Sequence, residues 1–135
     1  ITLNMTSHRF SQSFHRKDRN IMNNLTNDAK FLLSSMYAKY IERRKDGSSK
    51  DEATSFGDVQ NIKEEIMPEW SFEDTRFTCF ELRKHGYITG EPADNQLWFI
   101  HLTTEAIAEL EISFKDKLDS VLKFAADIKA AIPFL

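Results

Sequence analysis

A mainly α domain with a small β-hairpin is the fold class this sequence predicts, and three observations predict it. Helical apolar spacing recurs in several segments, each opened by a Ser, Thr or Asp suited to capping a helix. Between two of them, Tyr87-Ile88-Thr89 and Leu97 to Leu102 read as strands on either side of a run of turn residues. Eleven Phe against four Gly and three Pro suit a helical chain with few loops and an aromatic core. Helices, then a helix, hairpin and helix over Trp70 to Thr104, is the order of a winged helix-turn-helix domain, here followed by a C-terminal amphipathic helix.

Size and composition bound the reading. At 135 residues, with 41% hydrophobic and 29% charged content, the chain fits one modest core plus a tail. Residues 1–25 are expected to be a flexible basic arm, or a leader or vector-derived segment, ahead of a domain at 26–113 and a terminal helix at 114–135. No apolar run approaches the roughly 20 residues that span a bilayer, and no secretory pattern opens the chain, so stable membrane insertion is not expected. A single cysteine, Cys79, excludes an internal disulfide and suits a cytoplasmic protein. The net charge of -3 weighs against a strongly electrostatic nucleic-acid binder, although a local basic patch can outweigh the sum.

Residues 1–21 show neither helical nor strand periodicity. Arg9, Arg16, Lys17 and Arg19 against Asp18 give this arm a local +3, four minus one. Such an arm can reach phosphates, but the change of character at Met22 favours a leader or vector-derived segment.

The first helix opens at Thr26 or Asn27, with Asp28 at its positive end. Ala29, Leu32, Leu33, Met36, Tyr37, Tyr40 and Ile41 form one apolar stripe. Arg43, Arg44 and Lys45 close it, complementing the negative helix end, and Asp46-Gly47 ends it. Ser49 and Glu52 make a capping box for a short second helix, interrupted by Thr54, Ser55 and Gly57. Asp58 caps a further segment whose Val59, Ile62 and Ile66 share a face, and Pro68 stops it.

Ser71 caps the candidate recognition helix, which runs to about His85 and leaves through Gly86. Phe72, Thr75, Cys79 and Leu82 fall on the inward stripe. By subtraction Arg76, Phe77, Phe80, Arg83 and Lys84 point outward. Gly90 to Asn95 supplies a six-residue loop at the tip of the hairpin, with Asn95 as a further candidate contact. Thr103 or Thr104 caps the next helix, whose face continues through Ala106, Ile107, Leu110 and Phe114. The last segment carries Phe114, Leu118, Val121, Leu122, Ala125, Ile128 and Ile132 on one side and mixed charges on the other. Its stripe needs a partner: the first helix of the same domain or the same helix of a second subunit. Homodimerisation through this helix is the expectation.

No catalytic set is legible. Four His and one Cys lack any zinc-ligand spacing, and no phosphate loop, GxSxG or HExxH run occurs. Cys79 reads as a buried, inert thiol. The chain is therefore expected to be non-catalytic and to use no cofactor or metal.

Double-stranded DNA is the first partner to weigh, because Arg76, Arg83 and Lys84 sit where a recognition helix meets the major groove. Glu69, Glu73 and Asp74 crowd the start of that helix, and Glu91 and Asp94 make the hairpin acidic. An outward Phe77 and Phe80 would suit a protein partner better. The bland alternative is that one of the pair is core.

The runs FLLSSMYAKYIERRKDGSSKDEATSFG, MPEWSFEDTRFTCFELRKHGYI and LTTEAIAELE resemble the YjcQ-type winged-helix proteins of Gram-positive bacteria and their prophages. The resemblance covers roughly Asn27 to Phe114, and PEWSFED followed by Cys79, Leu82 and Gly86 is its most specific part. It implies a winged-helix fold, an extended C-terminal helix, and a DNA-binding or phage-regulatory role without catalytic residues. Phe77 and Phe80 depart from the pattern, standing where polar residues are expected.

Overall fold

In a computed structural model, residues 24–115 and 117–132 are described. The expected arm at 1–25 therefore lies outside the described residues except for its last two, and of those Leu25 is buried in the core. Six helices and three strands follow in the order α1 (Asn27–Lys45), α2 (Lys50–Ala53), β1 (Ser55–Gly57), α3 (Val59–Glu65), α4 (Phe72–Lys84), β2 (Ile88–Ala93), β3 (Gln96–Leu102), α5 (Thr104–Phe114) and α6 (Leu118–Ala130). The class is α+β.

Side-chain caps set the helix starts where the sequence places them. Thr26 Oγ1 accepts from Ala29 N, Asp58 Oδ1 from Asn61 N, Ser71 Oγ from Asp74 N and Thr103 Oγ1 from Ala106 N. Ser49 and Glu52 exchange both bonds of a capping box.

The expected stripe of α1 is buried throughout, but so are Phe31, Ser34 and Ala38 on the opposite side. That second face receives α6. The two helices run antiparallel: Lys129 Nζ lies 5.9 Å from the Phe31 ring, and Lys45 borders Lys117 and Leu118 at the other end. Val121, Ala125 and Ile132 are buried there, with Leu118, Phe124 and Ile128 packed against the same core. Ser34 and Ala38 are small enough to let α6 approach, and the Ser34 hydroxyl is satisfied by the carbonyls of Lys30 and Phe31. The C-terminal helix thus belongs to the domain's own core instead of forming a separate unit at 114–135. Its apolar stripe is covered within the chain, which removes the reason for expecting a homodimer through it. It is also not continuous with α5, because Lys115 adopts a left-handed conformation (φ 51°) and breaks the run.

The sheet is antiparallel in the order β1-β3-β2. β1 falls where the sequence suggested only interruptions. Phe56 is fully buried, and the Arg43 guanidinium lies 4.5 Å from its ring centroid while donating to the carbonyls of Ser55 (2.8 Å) and Ala53 (3.3 Å). Arg43 therefore pins a strand, beyond complementing its own helix end.

The hairpin is longer and its turn tighter than expected. Pairing runs out to Ala93 and Gln96, leaving a two-residue turn at Asp94 and Asn95, both with positive φ (54° and 59°). A turn with two left-handed residues matches the twist of the strands it joins. Gly90 is a strand residue, and a Cβ there would stand 2.5 Å from Leu97 Cγ, so only glycine lets Leu97 reach the core. The register slips by one residue between Thr89 and Glu91, and Phe99, with φ 55°, is the extra residue of this bulge.

Candidate nucleic-acid and protein interface

α4 is held on three sides. Thr75, Thr78, Cys79 and Leu82 face the core. Burial pushes the Cys79 thiol up to about 12, which fits the inert buried thiol read from the sequence. At the start of α1, Thr26 donates through its backbone N (2.9 Å) and its hydroxyl (2.7 Å) to the Glu81 carboxylate. On the hairpin side, Arg83 Nε donates to the Gly90 carbonyl at 3.1 Å. The hairpin is tied to the preceding helix as well, since Gln96 Oε1 accepts from Val59 N at 2.7 Å.

The six residues expected to form the contact surface separate on inspection. Arg76 is partly covered, and its guanidinium lies 3.6 Å from Glu73 Oε1 one turn earlier, so its charge is locally compensated. Arg83 is exposed but spends Nε on the hairpin. Lys84 is exposed at the last turn. Phe77 is 74% exposed. Phe80 is not: it is half-buried and packed against the core, because α4 buries more than its single inward stripe. The outward Phe pair is thus one outward Phe. Asn95 is exposed at the hairpin tip, where its left-handed backbone serves the turn.

Between the end of α4 and the hairpin lies an open cleft of about 510 Å³ bordered by Arg83, Gly86, Thr89, Gly90, Glu91 and Thr103. Sequence reasoning did not single out Phe99, which is 73% exposed on the sheet. Its signal is conformational, a bulky residue at positive φ, and the sequence carries no trace of that. His85 stacks on Tyr87 at 6.4 Å, and His101 Nδ1 is 3.1 Å from the Phe99 carbonyl oxygen, so both rings have local structural partners. Among the described residues no group of three or more His, Cys, Asp or Glu is arranged to hold a metal, and no helix is long and apolar enough to cross a membrane.

No family model, curated protein or solved structure matches this chain.

Proposed function

We propose that the chain is a winged-helix DNA-binding protein of YjcQ type, acting in the cytoplasm as a prophage-related transcriptional regulator or accessory factor. A short helix, a longer helix and a hairpin follow one another as in that fold, and the sequence runs quoted above support the same reading. One observation carries the function: Lys84 and the remaining N–H groups of Arg83 stand exposed at one end of α4, beside the hairpin. Two cations there suit phosphate oxygens or guanine edges. Fluorescence anisotropy with duplex DNA tests it. Binding should weaken with salt, and Arg83→Ala with Lys84→Ala should lower the slope of log K against log salt by about two. Absence of binding at low salt sinks the proposal.

A second reading, a non-catalytic module that docks a host or phage protein, is favoured by the exposure of Phe77. Under it, Phe77→Ala strips a captured partner while leaving any DNA affinity unchanged; under the first reading a partner list does not respond to Phe77.

A further inference from the structure

Phe99 stands where the backbone favours a different residue. It is the extra residue of the bulge in β3, at φ 55°, a left-handed conformation that suits glycine or asparagine and that a bulky side chain adopts only under strain. The ring returns little to the fold. It is 73% exposed, and among the described residues only Phe77 leaves a large apolar side chain as open. Trp98 is half-buried beside it, with its indole N–H spent on the Ala93 carbonyl at 3.0 Å, so what remains of the indole is apolar. Cross-strand pairing sets Glu91 opposite Trp98 and Thr89 opposite His101, which puts these side chains on the outer face of the hairpin. The inner face carries Ile88, Leu97, Ile100 and Leu102, all buried in the core.

Charge selects the partner for this face. From His85 to Phe114 the chain holds no Lys or Arg, against Glu91, Asp94, Glu105, Glu109 and Glu111. Two charged groups are tied to the hairpin from outside it. Arg83 donates through Nε to the Gly90 carbonyl, and Asp58 caps α3 where Val59 N meets Gln96 Oε1. With both counted, Glu91, Asp94 and Asp58 stand against Arg83 alone. A phosphate backbone is repelled by such a hairpin. A cationic side chain is attracted by Glu91 and Asp94, both exposed, and can rest on the face of an open aromatic ring.

We infer that the outer face of the hairpin docks a cationic polypeptide segment, with Phe99 as its apolar anchor and Glu91 and Asp94 receiving Lys or Arg side chains of the partner. The bulge aims the Phe99 ring outward, and the strain at this position is retained because the ring is used there. This face is distinct from both uses proposed for α4 and depends on neither of them.

The experiment measures anisotropy of labelled peptides of one length, built from Leu and Gly with Arg, Glu or Ser, and of duplex DNA, over a salt series. Among the peptides the parent chain should bind only the Arg one, less tightly as salt rises. Phe99→Asn should weaken that binding roughly tenfold. Its thermal midpoint should hold or rise, because asparagine accepts the left-handed backbone. Glu91→Gln/Asp94→Asn should weaken binding severalfold and flatten its salt dependence. Unchanged binding by Phe99→Asn overturns the inference. A clear fall in the thermal midpoint of Phe99→Asn also overturns it, since the ring would then serve the fold. Equal binding of the Glu or Ser peptide, or DNA binding that Phe99→Asn abolishes, overturns the partner class. A parent chain that binds none of the peptides overturns the proposal outright. Self-association in sedimentation that Phe99→Asn removes would assign the face to a second copy of the chain instead.

Discussion

α4 and α6 are both thirteen-residue amphipathic helices, yet they end in opposite situations. α6 lays its stripe on the back of α1, leaving only Leu122 (45%) strongly exposed among its large apolar residues. α4 buries its stripe and still holds Phe77 out at 74%. An apolar stripe announces that a face is covered; it does not say by what. For α6 the cover was already in the chain, so its hydrophobicity is spent on the fold. For α4 a large aromatic remains after folding is complete, and that residue is available for a partner.

The sharpest way to break this contrast is at α6. Val121 is fully buried, and Val121→Asp places an uncompensated charge in the seam with α1. A loss of about 3–5 kcal/mol is expected, comparable with the whole stability of a small domain. Urea titration followed by circular dichroism should show a largely unfolded or much weakened chain, and a protein ending at Phe114 should behave the same way. If either variant stays fully folded and changes only its oligomeric state in light scattering, α6 is an intersubunit element and the intramolecular seam is wrong.

That seam also marks where the sequence stopped being legible. Caps at Thr26, Ser49, Asp58, Ser71 and Thr103 are local chemistry, and each stands where its side chain announced it. The docking face for α6 is built from Phe31, Ser34 and Ala38, and two of these are too small to register in an apolar pattern. β1 was hidden for a related reason. Its three residues carry one buried side chain, Phe56, and its pairing comes from β3 more than forty residues on. The hairpin tip was misjudged because Gly90 and Pro92 look like turn residues. Gly90 instead answers to the bulk of Leu97, and Pro92 sits paired with Leu97 near the tip. The candidate site suffered from the same nonlocality. Outwardness read from helical angle was right for Phe77 and Lys84 and wrong for Phe80, because angle alone does not show which neighbours close over a flank.

Phe77 and Phe80 sharpen the comparison at smaller amplitude. Three residues apart on one helix, they differ in cover, so truncation should separate them. Phe80→Ala removes packing against the core and should cost about 1–3 kcal/mol, whereas Phe77→Ala should stay within about 0.5 kcal/mol of the parent. Equal losses in parallel denaturant titrations would mean that Phe77 is covered in solution and is no candidate for a partner.

The smallest effect is expected where α4 meets the start of α1. Burial, and then the neighbouring Asp74 and Glu81 carboxylates, raise the Asp28 carboxyl above its ordinary value of 3.8. The folded chain therefore holds this proton more tightly than the unfolded one. Ionised Asp28 lowers stability above its folded pKa, and that penalty vanishes once pH falls below the unfolded value. Asp28→Asn should melt slightly higher than the parent at pH 7, with the gap closing as pH drops toward 3.8 and gone below it. The positive pole of α1 works the other way, favouring a charge at Asp28. A variant that melts lower at pH 7 would show that the pole outweighs burial and the two carboxylates together, making this junction a favourable place for negative charge.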